Sequence, residues 1–269
     1  AKVIALKNGT QMQIFNIELK SKMKAHNMPE PVIFWKWISP SIIALVTANA
    51  VFHWTMDGDS APSKIFDRHA SLAACQIINY KADDKISWCC LTGISKTPDG
   101  RIGGSMQLFS IERQMTQSIE GHACAFVDLT LAGNTTPSTL FAFANRGAAE
   151  SSINIIEVAK AVGLPETTVA FGKRKIALNF PPEAAGDFPL SMSISNKYGI
   201  VVVVTKLGFV QVFETETGTF IYGNRFTEGP VFIGCSNSIG GIHCINGKGQ
   251  ILALGIDDAN IISFLVQGG

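Results

Sequence analysis

Ile200-Val201-Val202-Val203-Val204, a short break, then Gln211-Val212-Phe213-Glu214-Thr215 decides the fold. A run of five β-branched residues loses little side-chain freedom in an extended chain and suits a strand covered on both faces. The second segment carries an apolar-aromatic pair followed by polar residues, as expected of the neighbouring strand.

The same pair of segments recurs along the chain. Val3-Ile4-Ala5-Leu6 precedes Gln13-Ile14-Phe15-Asn16-Ile17-Glu18, and Ile42-Ile43-Ala44-Leu45-Val46 precedes Val51-Phe52-His53-Trp54. Trp88-Cys89-Cys90-Leu91-Thr92 is followed by Gln107-Leu108-Phe109-Ser110-Ile111-Glu112, and Leu140-Phe141-Ala142-Phe143 by Asn154-Ile155-Ile156-Glu157-Val158. The last copy is Gly241-Ile242-His243-Cys244-Ile245 with Gln250-Ile251-Leu252-Ala253-Leu254. Phe15, Phe52, Phe109, Ile156, Phe213 and Leu254 mark the copies, roughly 37 to 57 residues apart, which spans the blade length of propeller repeats.

An all-β propeller of WD40-like architecture follows, with about six blades in this chain. Each unit is a small antiparallel sheet that cannot bury both faces alone, so neighbours stack. A doubly wound parallel sheet would need amphipathic helices of about 10–15 residues between strands, and no such segments occur. Sandwich domains would form Greek keys over roughly 100 residues, about twice the spacing seen. Because Ala1-Lys2-Val3-Ile4-Ala5-Leu6 opens inside a strand pattern, residues 1–269 are expected to be one propeller domain lacking roughly its first blade, less stable than a longer parent.

Charge excludes several functions. Twenty-two basic residues face 21 acidic ones for a net charge of +1, so no global field favours nucleic acid or an anionic membrane. No stretch of about 18 apolar residues is present to insert into a bilayer. The six cysteines, at 75, 89, 90, 124, 235 and 244, form neither CxxC pairs nor zinc spacing and read as reduced core residues of a cytosolic protein. The sequon Asn134-Thr135-Thr136 is then incidental.

Chemistry is not signalled. Histidines 26, 53, 69, 122 and 243 are dispersed, and His53 beside Trp54 reads as a packed residue. The glycines around Gly241 and Gly247 lack the Ser or Thr of a phosphate loop, whereas Asn246-Gly247 suits a hairpin turn with positive φ at the glycine. Neither GxSxG nor paired carboxylates can be established. Cys89-Cys90 lies in a strand, which sends one thiol to each face. No cofactor or metal is expected.

Binding has better signals. Lys20, Lys22 and Lys24 alternate just after a strand, so in an extended chain their ammonium groups share one side. They read either as a solvated edge that blocks sheet-to-sheet pairing or as the cationic wall of a groove in which Ile4 and Phe15 give apolar pockets and Gln13 a polar handle. Trp35 and Trp37 fall on one strand face and, with Trp54 and Trp88, are expected in the core. Arg113 alone is a solvated charge, and Met115 is either a soft pocket wall or an ordinary edge contact.

The strings IFNIELKSKMKAH (14–26), FWKWIS (34–39), ACQIINY (74–80), SIEGHA (118–123), NFPPEA (179–184), DFP (187–189) and ETGTFIY (216–222) resemble, in order, those of the N-terminal domain of clathrin heavy chains. The resemblance covers essentially the whole chain. It implies a seven-bladed propeller on the cytoplasmic face of coated pits and vesicles, with residues from about 258 to 269 leading toward a helical linker. It also implies binding of short linear motifs of endocytic adaptors and accessory proteins, with trimerisation and light-chain binding outside this chain. A clathrin-box groove maps onto Ile4, Gln13, Phe15, Lys20 and Lys22. A second hydrophobic-motif groove maps onto Trp88, Leu108, Arg113, Met115, Gln117 and Ile119, and a site for a tryptophan-containing motif onto Gln76, Ile78 and Ile94. A propeller enzyme using residues around its channel, or a scaffold whose grooves bind nothing, are the competing readings.

Overall fold

Turn signals cut the apolar runs into 22 short strands, and consecutive strands pair antiparallel into six meanders among the described residues. The structure, a computed structural model, describes residues 2–160, 171–236, 241–257 and 260. Sheet 1 holds β1 (Val3–Asn8), β2 (Gln11–Asn16) and β3 (Ser21–Asn27). Sheet 2 holds β4 (Phe34–Trp37), β5 (Ile42–Val46), β6 (Ala50–Thr55) and β7 (Ser63–Asp67). Sheet 3 holds β8 (Gln76–Ala82), β9 (Trp88–Lys96), β10 (Ile102–Ser110) and β11 (Met115–Glu120). Sheet 4 holds β12 (Ala123–Leu129), β13 (Ser138–Arg146), β14 (Ser151–Ala159) and β15 (Lys173–Ala177). Sheet 5 holds β16 (Pro189–Ser195), β17 (Ile200–Thr205), β18 (Phe209–Glu214) and β19 (Phe220–Arg225). Sheet 6 holds β20 (Val231–Ser236), β21 (Ile242–Asn246) and β22 (Ile251–Leu254). Of residues 258–269, expected to lead toward a helical linker, all but Asn260 lie outside the described residues.

The repeat markers land on one structural position. Phe52, Phe109, Ile156 and Phe213 each lie on the third strand of a four-stranded sheet, Phe15 on the middle strand of sheet 1 and Leu254 on the last strand of sheet 6. The two three-residue 3₁₀ turns, Ala70–Leu72 and Pro182–Ala184, sit in the linkers entering sheets 3 and 5.

The chain divides into two compact units: Ala1–Ala82, Ile86–Gly93 and Ser105–Ile119 form the first, and Asp83–Lys85, Ile94–Gly104 and Glu120–Gly269 the second. In the first, Met12, Ile14, Ile43, Leu45 and Trp54 fill the space between sheets 1 and 2. Val46, Val51, Phe66, Leu72, Tyr80, Leu91 and Phe109 do the same between sheets 2 and 3. In the second unit, Leu140, Ile155, Met192, Val201, Val203 and Phe213 join sheets 4 and 5, while Val202, Val204, Val210, Val231 and Ile242 join sheets 5 and 6. Odd and even residues of β17 thus enter different cores, and alternation explains why the run Ile200–Val204 has no polar position.

Side chains also pin the linkers. The Gln107 carboxamide donates to the Asp67 carbonyl at 2.8 Å and accepts from the His69 N–H at 2.8 Å. Gln211 repeats this on a single residue, donating to the Asn179 carbonyl at 2.8 Å and accepting from its N–H at 3.2 Å. Guanidinium groups of Arg68 and Arg146 cap carbonyls of the two 3₁₀ turns, Leu72 at 2.7 Å and Ala184 at 3.5 Å.

Three sequence expectations change in detail. All six cysteines are free, but Cys235 is exposed and Cys75 half-buried, because neither falls on the core face of a central strand. Trp54 is buried, whereas Trp35 keeps 37% of its surface because β4 begins a sheet and only Trp37 and Phe34 reach the cores. The Asn246 hairpin forms, yet the residue with positive φ is Gly249, at 75°. The Asn246 side chain accepts from the N–H groups of Lys248 and Gln250, which lengthens the loop beyond a two-residue turn.

His53 and His122 are buried, and burial pushes both imidazoles down, His53 to about 4. His53 Nε2 hydrogen-bonds the Tyr80 hydroxyl at 2.8 Å, and His122 Nε2 the Ile102 carbonyl at 3.0 Å. A depressed folded-state value favours the neutral ring, so the unfolded chain binds the extra proton. Stability is therefore fully present above the unfolded histidine value of about 6.5 and is lost as pH falls from there toward 4. Urea titrations at pH 7.5 and 5 are expected to show His53 alone removing about 2 kcal/mol. His53→Gln should flatten that part of the pH profile.

Candidate peptide-binding grooves

In sheet 1, register decides which side chains meet. Ile4 lies opposite Phe15 on β2, and Phe15 opposite Lys22 on β3, so the three form one row across the sheet. The next row on that face is Leu6, Gln13 and Ala25. The other face carries Val3, Ala5, Met12 and Ile14, which pack toward Trp54. Ile4, Gln13, Phe15 and Lys22 are thereby brought onto one accessible surface: the first three are half-buried and Lys22 is exposed. Leu6, 45% exposed, belongs to it too and is absent from the sequence-derived set. Its alternation with Ile4 was the available signal.

The three lysines do not share a side. A bulge between Ile14 and Phe15 sets Lys22 opposite Phe15 but Lys24 opposite Ile14, so the extra residue, Met23, reverses the faces. Lys24 consequently turns to the core side, where its Nζ donates to the Thr55 carbonyl at 2.9 Å and lies 5.8 Å from the Trp54 ring. Lys20 is not on the strand. It closes the turn before β3 with φ of 49° and is exposed. Neither Lys20 nor Lys22 has a carboxylate partner among the described residues, and Glu18 pairs instead with Lys2 at 3.1 Å.

Gln13 occupies the strand position that Gln107 and Gln211 hold in sheets 3 and 5, each two residues before a phenylalanine. Those two carboxamides are spent on linker main chain, while the Gln13 amide donates only to the Gln11 side chain. Its geometry suits the N–H and C=O of an extended backbone.

The second predicted set lies on sheet 3. Cys89, Leu91 and Phe109 face the core shared with sheet 2, and Thr116 and Ser118 turn the same way, bonding Gln107 at 3.2 Å and Ser71 at 3.0 Å. Alternation therefore puts Trp88, Leu108, Met115, Gln117 and Ile119 together on the opposite face. Met115 is 63% exposed and Gln117 exposed, Trp88 and Ile119 are half-buried, and Leu108 keeps only 2% of its surface. Leu108 offers a ligand no free surface and instead backs the wall between its neighbours. Arg113 stands exposed in the preceding turn, its N–H donating to Ser110 Oγ at 3.3 Å. Of the third set, Gln76 is exposed and Ile78 half-buried on β8 in the first unit, whereas Ile94, half-buried on β9, belongs to the second.

Among the described residues no group of three or more His, Cys, Asp and Glu converges on a metal position, and no helix is long and apolar enough to cross a membrane.

A family profile, the clathrin propeller repeat, matches residues 72–112, which span the entry to sheet 3 through the end of β10. The chain is 48% identical over 269 residues to probable clathrin heavy chain 1 of Caenorhabditis elegans, covering 99% of this chain and 16% of the relative. The chain is clathrin-heavy-chain-like along its whole length. Clathrin heavy chain of Drosophila melanogaster is 47% identical and human clathrin heavy chain 2 is 46% identical, each over 98% of the chain and 16% of the relative. The chain therefore spans about one sixth of the curated clathrin heavy chains it matches. Among solved structures, Kluyveromyces lactis Hsv2 superposes with a TM-score of 0.58 at 12% identity, covering 97% of this chain and 73% of the other. The Cps50 (Swd1) β-propeller domain of Myceliophteria thermophila gives 0.56 at 8% identity, covering 95% and 81%. The all-β propeller read from the repeats is the fold of this clathrin-like chain.

The bulge separates two lysine roles that can be measured apart. Lys24→Ala is expected to lower the urea unfolding free energy by about 1 kcal/mol, since it removes a charged donor from a carbonyl. Lys22→Ala, at an exposed position, should stay within about 0.5 kcal/mol of the parent.

Proposed function

We propose that residues 1–269 act as a single, non-enzymatic, peptide-motif-binding propeller of a clathrin coat. It recruits adaptor and accessory proteins during coated-vesicle formation and endocytosis, on the cytoplasmic face of coated pits. One observation carries the reading. The first sheet presents an apolar row, Ile4 and Phe15, that runs directly into Lys22, and beside it lies the carboxamide of Gln13, which bonds only the neighbouring Gln11 side chain.

The chemistry of that row selects its ligand. Aliphatic side chains of an extended peptide lie against Ile4, Leu6 and Phe15, Gln13 takes one residue's main-chain N–H and C=O, and an acidic residue reaches Lys20 and Lys22. A groove amide bonded only to a neighbouring glutamine exchanges that bond for main-chain bonds at little net cost. On sheet 3, Trp88, Met115 and Ile119 supply an apolar strip with Gln117 and Arg113 as polar contacts, for a second hydrophobic motif. Gln76, Ile78 and Ile94 are assigned to a tryptophan-containing motif.

Individual motifs of this kind bind on the order of micromolar, and linkage of many copies in a coat supplies avidity. The light-chain contacts and trimerisation proposed for the longer protein involve none of these residues.

Fluorescence anisotropy with a labelled peptide of leucines ending in aspartate tests the first groove. Lys20→Glu with Lys22→Glu should weaken binding by about tenfold or more, because two cations near the carboxylate become repulsive. An affinity unchanged by that double reversal, with circular dichroism intact, would mean that the lysines are only a solvated edge. For the second groove, Arg113→Ala with Gln117→Ala should weaken binding of a leucine-rich hydrophobic motif while the melting curve holds. If the affinity is also held, the placement on sheet 3 is wrong.

A further inference from the structure

The outer half of sheet 5 contains a groove that none of the assignments above uses. It has a volume of about 440 Å³ and lies between the entering linker, at Asn179 and Glu183, and the last two strands, at Phe209, Phe220, Asn224 and Arg225. All of these residues belong to the second compact unit.

Its existence traces to one glycine. In sheet 3 side chains close this space: Thr116 accepts from Gln107, which itself holds the linker main chain, and Ser118 bonds Ser71 of the linker directly. In sheet 5 the residue opposite Gln211 is Gly223, which has nothing to extend. Gly223 has no positive φ to require glycine, and a Cβ there would stand 2.9 Å from the Phe220 ring and push it into the space. The gap that hydroxyl side chains close in one repeat is therefore open in the other.

The lining is selective. Register places Phe209 opposite Arg225 and Phe213 opposite Phe220, so the aromatic and cationic groups share the groove face. Phe220, on the outermost strand, is 52% exposed and offers an aromatic face to a ligand. The last strands β3, β7 and β15 carry lysines, at 22 and 24, at 64, and at 173 and 175, whereas β11 and β22 carry none and expose Met115 and Ile251. Arg225 lies 5.3 Å from the Phe209 ring and donates through Nε to the Thr227 carbonyl at 3.2 Å, which fixes its plane and leaves its terminal nitrogens without a carboxylate among the described residues. A planar guanidinium held in this way matches a carboxylate in bidentate fashion. Glu183 on the linker wall has no cationic partner among the described residues, so acid on the ligand is accepted at the Arg225 end and repelled at the linker.

We propose that this groove is a peptide-binding site for an extended segment that sets a bulky aliphatic side chain on Phe220 and a carboxylate on Arg225. It stands on a different sheet from the grooves of the proposed function and does not depend on them.

The test uses the acetylated peptide Ser-Leu-Leu-Ser-Leu-Asp-Ser-amide, which has no tryptophan for the third site, titrated into ¹⁵N-labelled chain carrying Lys20→Glu, Lys22→Glu, Arg113→Ala and Gln117→Ala, which weaken the grooves on sheets 1 and 3. Saturable amide shifts are expected along Phe209–Gln211 and Phe220–Arg225. Gly223→Thr, which fills the groove, and Arg225→Gln, at an exposed position that does not threaten folding, should each weaken binding by about fivefold or more. Glu183→Gln should tighten it by about twofold. The proposal is overturned if no shifts appear in these segments, if both weakening variants bind like the parent, or if the shifts follow chain concentration without peptide, which would make the face a self-association surface.

Discussion

The constraint on which everything else rests is that no single meander in this chain can cover both of its own faces. β5 and β17 each send alternate side chains into two different cores, so these strands are made of residues that need a sheet on either side. Burial of this kind contributes about 25 cal/mol per Å² of apolar surface, and it accrues only when neighbours stack. The architecture is thus a series of interfaces between small sheets, and the surface available for recognition is whatever those interfaces leave uncovered.

The grooves follow from that arrangement. The last strands β3, β7, β11, β15 and β19 are mostly exposed, and what fills the crease beside them varies from repeat to repeat. Where threonine bonds the linker-holding glutamine and serine reaches the linker itself, as on β11, the crease is sealed on one side. Where glycine replaces them, as on β19, it stays open. Specificity can then be altered by exchanging one or two side chains per sheet without touching the buried runs, because the stacking residues and the crease residues alternate along the same strands.

Much of this was readable from the amino acids. The spacing of Phe52, Phe109, Ile156 and Phe213 places each on the third strand of its sheet, because the pattern of runs and turns is what defines the strands. The sharing of one face by Ile4, Gln13 and Phe15 also follows from alternation. What failed was any inference crossing a local irregularity. Lys24 turned inward because a single bulge residue inverts the alternation, and no composition rule marks Met23 as that residue. The positive φ moved from Gly247 to Gly249 because the Asn246 side chain organises a longer loop. Leu108 and Trp35 differ from expectation because burial depends on neighbours distant in sequence. The likeness to clathrin heavy chains supplied the second and third groups of site residues, which no periodicity would have gathered.

The paired bonds from Gln107 and Gln211 have an implication for how such a chain tolerates change. Toward the linker each carboxamide holds only peptide N–H and C=O, at Asp67 and His69 in one case and at Asn179 in the other, so it is indifferent to the linker side chains it passes. The two connecting segments, Asp67-Arg68-His69 and Asn179-Phe180-Pro181, have no residue in common at these places, yet both are anchored in the same way. Mutation can therefore rewrite the exterior of a connection while its path is kept by a residue of the sheet it enters, which decouples surface novelty from the integrity of the buried strands.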